Sequence, residues 1–159
     1  MGIRRASRAG RDRAGADAAR GRLVEGYLRL EPYREVPQAL RSLAGRPLAI
    51  LSNGSPGMLQ AVLEHAGLGG RFTAVLSADA VRTYKPSPRV YELAPRHLGV
   101  DTGRIGFVSS NSFDVIGAAA YGFRTIWVNR SAAPLDQLGQ PPQLTVADLA
   151  ELADAVQPT

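Results

Sequence analysis

Cysteine is absent from this 159-residue chain, lysine occurs once and histidine twice. Without thiols there is neither a disulfide framework nor a thiolate metal site, and His65 and His97 stand far apart in sequence. A cytoplasmic protein is the plain expectation. Long apolar runs are also missing. Nothing approaches the roughly 18 residues of a membrane span, and the Arg-rich start lacks the apolar stretch of a secretory signal. No membrane partner is expected.

The net charge of +5 points to nucleic acid only until it is divided along the chain. Residues 1–22 hold seven Arg and two Asp, which accounts for all of it, while residues 23–159 carry twelve basic and twelve acidic side chains. The basic segment has no interleaved aromatics, so a solvated, disordered tail over 1–22 is expected and no nucleic-acid partner. The remaining chain is neutral, and 45% hydrophobic content across the sequence suits one globular domain over 23–159.

Short apolar runs at Leu48–Leu51, Phe72–Leu76, Ile105–Val108 and Thr125–Val128 alternate with stretches of helical periodicity. Helices are expected before Pro32, from Pro37, over Met58–Ala66, over Val90–Leu98 behind Ser87-Pro88, and over Val115–Tyr121. A last helix, Val146–Val156, would take Thr145 as its cap. Strands alternating with helices of this length give an α/β fold, a doubly wound parallel sheet.

Three successive strand ends deliver polar groups: Ser52-Asn53-Gly54-Ser55, then Lys85 with its proline, then Ser109 to Asp114. In a parallel sheet those ends lie on one side, where ligands bind. Lys85 is the only lysine among nineteen basic residues, which fits a site too tight for a guanidinium or a chance surface residue equally well. Asp114 would be its counter-charge, or simply an acid in the first turn of a helix. Asn111 and Ser112 read as site residues or as N-caps, and Ser52 and Asn53 as an anion grip or as turn residues.

Taken together, these residues resemble the haloacid dehalogenase superfamily, in particular its type II 2-haloacid dehalogenase branch. Leu51-Ser52-Asn53-Gly54 resembles the second motif, Tyr84-Lys85-Pro86-x-Pro88-x-Val90-Tyr91 the third, and Phe107-Val108-Ser109-Ser110-Asn111-x-x-Asp114 the fourth. The resemblance runs from about Leu23 to Asn129 and implies a Rossmann-like core. It implies hydrolysis of a 2-haloacid to a 2-hydroxyacid through an aspartyl ester. Ser52 and the Asn53 amide would hold the substrate carboxylate. Lys85 would orient the nucleophile with Asp114 as partner, Tyr91 would line the site, and Ser109 and Asn111 would position the hydrolytic water. Phe113 stands where type II members often have Trp.

Phosphatases of the superfamily usually carry Gly-Asp where this chain has Ser110-Asn111, and the extra acid helps to hold magnesium. The resemblance therefore implies no metal and no cofactor, and a phosphatase is the alternative. The family's first motif, a strand ending in the nucleophilic Asp and followed by Gly-Thr and a helical cap, has no match before Leu23. Asp12 and Asp17 have no apolar strand ahead of them, so neither is assigned as nucleophile.

The chain is thus expected to lack the central strand and most of the cap, with 23–36 as a remnant of cap and linker. Each buried backbone group left unpaired there would cost about 1 to 3 kcal/mol. Such a chain is expected to be inactive alone. A homodimer, a complementing chain carrying the missing strand, or a non-catalytic fragment are the states the resemblance leaves open.

Overall fold

The structure, a computed structural model, describes residues 16, 19 and 21–156. The expected tail therefore lies almost wholly outside the described residues. Residues 21–28 form a helix, α1, whose Leu23, Val24 and Tyr27 side chains are exposed. Pro37 occupies the first turn of α2 (Val36–Ser42), where a missing N–H leaves no bond unmade. Ala39 is the buried residue of α2, while Leu40 and Leu43 are half-buried.

The alternation expected from the sequence then unfolds in order. β1 (Ala49–Ser52) leads to α3 (Pro56–His65), capped by Ser55, whose hydroxyl accepts from the Met58 amide. β2 (Ala74–Ser77) begins two residues beyond Phe72 and runs into a 3-10 turn, Ala78–Val81. A single helix over Val90–Leu98 is corrected to two, α4 (Pro88–Tyr91) and α5 (Leu93–Leu98). Pro95 has no N–H to bond the carbonyl one turn earlier, so the ladder is interrupted there. β3 (Gly106–Ser109), α6 (Ser112–Tyr121) and β4 (Arg124–Val128) follow, with Gly122 closing α6 at φ 109°.

The end of the chain departs from expectation. Leu144 to Val146 form a strand, β5, and Thr145 pairs in register with Trp127 instead of capping a helix. The last helix, α7 (Leu149–Ala155), is capped by Asp148, whose carboxylate accepts from the Ala150 and Glu151 amides at 2.9 and 3.0 Å. A β-branched pair beside an open strand favours pairing, and a short carboxylate three residues on is the better cap.

Among the described residues the strands are parallel and form two sheets, β1-β2 and β3-β4-β5. One core joins the sheets. Leu76 and Leu51 from the first pack with Phe107 of the second and Phe123 just ahead of β4, together with Tyr91, Leu93 and Ala94 from α4 and α5 and Ala118 of α6. A second cluster seats Leu152 of α7 on Val128 and Val146.

Hydrogen bonding shows which strand edges are open. The Leu48 carbonyl accepts from Thr73 at 2.7 Å, so alternate residues of β1, Ala49 and Leu51, aim their backbone groups away from β2. The Ile105 carbonyl accepts from Arg124 at 3.0 Å, so Gly106 and Val108 aim theirs away from β4. No strand covers these edges among the described residues.

Candidate active site

The ends of β1 and β3 and the loop ahead of α4 converge on one buried carboxylate. Asp114, in the first turn of α6, is 1% exposed, and each of its oxygens is engaged. Lys85 Nζ donates to Oδ2 at 2.6 Å, Ser109 Oγ donates to the same oxygen at 3.0 Å, and Tyr91 Oη donates to Oδ1 at 2.8 Å. Charge-assisted bonds of this kind are short and strong, and buried they hold the groups in one arrangement. Burial pushes the Tyr91 phenol far above its usual range, helped by the negative charge of Asp114 and the hydrogen bond donated to it. Tyr91 is therefore a fixed donor.

Lys85 also bonds outward. Its ammonium donates to the Leu51 carbonyl at 3.1 Å, on the open edge of β1, and lies 5.4 Å from the centroid of the Phe107 ring in β3. One side chain thus spans the two sheets. The loop that carries it is fixed by Asn53, whose Oδ1 accepts from the Lys85 amide at 2.8 Å. Of the ammonium's three donors, two are engaged among the described residues.

The remaining expected residues sit around this centre. Ser52 Oγ accepts from the Gly54 amide at 3.1 Å and shapes the turn after β1. Ser109 Oγ accepts from the Asn111 amide at 3.2 Å. Asn111 holds the N-cap position of α6 without a side-chain cap bond, which leaves its amide side chain exposed. Phe113 is 39% exposed. Asn111 and Phe113 line a cavity of about 410 Å³ together with Tyr33, Trp127 and Arg130.

Several residues that shape this region were not singled out from the sequence. Trp127, level with Ser109 in the ladder, donates from Nε1 to the Ser110 carbonyl at 3.2 Å and holds the turn. Ser77 Oγ donates to the Gly54 carbonyl at 2.7 Å. Gly117 lets α6 approach the site, since a Cβ there would lie 2.7 Å from Pro86 Cβ and 2.8 Å from Tyr91 Oη. Trp127 could have been noticed as the only tryptophan, at the end of a predicted strand. Nothing in the sequence marks Gly117, because its role is a contact between distant segments.

A family model for haloacid dehalogenase-like hydrolases matches residues 3–122. The chain belongs to this family. This haloacid dehalogenase-like chain is 50% identical over 132 residues to the (S)-2-haloacid dehalogenase of Pseudomonas sp. (strain YL), covering 82% of the chain and 57% of that enzyme. It is 47% identical over 127 residues to haloacetate dehalogenase H-2 of Moraxella sp. (strain B), covering 79% and 57%. The L-2-haloacid dehalogenase structure from Xanthobacter autotrophicus superposes with a TM-score of 0.78 at 38% identity, over 82% of this chain and 62% of that one. A haloacid dehalogenase-type phosphatase from Thermococcus onnurineus superposes at 0.71 with 26% identity, over 78% and 57%. The haloacid dehalogenase-like chain thus spans somewhat under three fifths of the length of the Pseudomonas and Moraxella enzymes.

Proposed function

We propose that this chain carries the site of a hydrolytic 2-haloacid dehalogenase and is inactive alone. The observation that carries the reading is the Asp114 cluster. In a phosphatase this carboxylate would be wanted for a cation, yet here its oxygens accept from an ammonium, a hydroxyl and a phenol. The neighbouring Ser110-Asn111 adds no acid. Names of relatives that act on (S)-2-haloacids and haloacetate support the same substrate class.

In the proposed reaction a carboxylate oxygen attacks the halogen-bearing carbon, the carbon–halogen bond breaks, and halide leaves with the electron pair. Water then adds to the resulting ester, releasing the 2-hydroxyacid and restoring the carboxylate. Lys85 would orient that nucleophile with its remaining donor. Ser52 and the Asn53 amide would hold the substrate carboxylate, Tyr91 and Phe113 would bound the site, and Ser109 and Asn111 would place the water. Neither metal nor cofactor enters this scheme.

The nucleophile would come from a strand laid between β1 and β3, because both open edges flank Lys85. A complementing chain is the proposed source, and a homodimer is compatible with the apolar surface of Leu23, Tyr27 and Leu30. Cytoplasmic residence belongs to the same proposal, on a cysteine-free composition.

The test is chloride release from 2-chloropropionate. The purified chain is expected to release none. Adding a polypeptide whose strand ends in Asp followed by Gly-Thr is expected to start release, and Asn111→Ala, an exposed position, to stop it again. Turnover by the chain alone would refute the inactivity. Magnesium-dependent hydrolysis of a phosphate ester, lost in Asp114→Asn, would favour the phosphatase reading.

A further inference from the structure

The cavity beside Asn111 and Phe113 has a wall that the proposed chemistry does not use. Tyr33, in the segment before α2, is 62% exposed and has little packing to hold it. Arg130, just after β4, places its guanidinium 3.8 Å from the centroid of the Tyr33 ring, and the same guanidinium donates to Glu35 at 2.5 Å. Glu35 is held below the usual carboxylate range by a backbone N–H and by Arg130, so the pair stays charged. The loop that carries Arg130 is itself fixed, because the Asn129 side chain both donates to and accepts from Ala133 at 2.9 Å.

We infer that Tyr33, positioned by Arg130 and Glu35, is a specificity-determining wall of the substrate pocket, and that this pocket takes the apolar side chain of a 2-haloacid longer than propionate. The inference rests on the dehalogenase reading. Three observations support it. First, about 410 Å³ lies within the range of ligand sites. At about 30 Å³ per water it holds on the order of ten waters, more than a three-carbon acid displaces. Second, the wall is mixed, and its apolar part is formed by Tyr33, Phe113, Trp127, Val128, Ala133 and Pro134, facing a polar part built from the turn before α6 and the segment after β4. Third, among the described residues the one cation on the wall, Arg130, is paired with Glu35, which disfavours a second carboxylate there and favours an apolar tail over a dicarboxylate. Flat stacking on a ring is a contact that a lysine would not reproduce, which gives Arg130 its role.

Trp127 lines the cavity and is the only tryptophan, so its emission reports occupancy without turnover. The full chain is titrated with the unreactive products 2-hydroxypropionate and 2-hydroxyhexanoate. The longer acid is expected to bind at least tenfold more tightly, and Tyr33→Ala to reduce that ratio to threefold or less. Arg130→Ala should do the same, with thermal melting confirming that it stays folded. Equal binding of both acids by the unsubstituted chain, or an unchanged ratio in Tyr33→Ala, would overturn the inference and leave the dehalogenase reading standing. No response to either acid would bring down both.

Discussion

Asp114 is buried, paired with Lys85 and hydrogen-bonded at both oxygens, and Tyr91 is the donor whose titration would undo this arrangement. The folded chain raises the proton affinity of Tyr91 above its unfolded value of about 10. The associated stability is therefore complete below pH 10 and falls as the pH climbs beyond it. Chemical denaturation at pH 8 to 11 should show a decline that is smaller in Tyr91→Phe, at the cost of a lower plateau from the lost bond to Asp114. Glycines give a paired test. Gly117→Ala sets a methyl against Pro86 and Tyr91, and overpacking of this kind costs about 1 to 3 kcal/mol. Gly57→Ala, on α3 with nothing within 4 Å, should instead stabilise by up to about 1 kcal/mol. Urea midpoints moving in opposite directions would confirm the two environments.

At the scale of elements, the open edges of β1 and β3 make a pattern that hydrogen exchange can read. The amides of Leu51 and Val108 point away from their ladders, whereas those of Ile50 and Phe107 point into them. Exchange should be much faster at Leu51 and Val108 than at their neighbours, and uniform protection would mean that something covers the edges. Element identity was largely legible: apolar runs bounded by turn residues gave four of the five strands found among the described residues, and the helix expected over Val115–Tyr121 ends at Gly122. β5 was not legible, because a three-residue strand has no periodicity of its own. It forms because β4 offers it a partner.

At the scale of the molecule, Lys85 links the two sheets. Its ammonium reaches the Leu51 carbonyl of one and the Asp114 carboxylate beside the other. Both partners are nearly buried, at 12% and 2% side-chain exposure, so removing one strands the other's charge. Lys85→Met should cost about 3 to 5 kcal/mol, a large share of the 5 to 15 kcal/mol typical of a domain. Lys85→Met with Asp114→Leu should lose less than the two single changes added together. Additive losses in urea denaturation would show that the pair does not act as a unit.

The sequence by itself determined the α/β alternation, the three polar strand ends and the family, because periodicity, turn chemistry and motif spacing are local properties. Pairing Lys85 with Asp114 could be anticipated, since parallel strands bring their carboxyl ends together. Only the tertiary structure decided that Asp114 also receives Ser109 and Tyr91, that Gly117 must be small, and that Arg130 settles on Tyr33. These are contacts between segments far apart in the chain, fixed by close packing, and no local pattern encodes them.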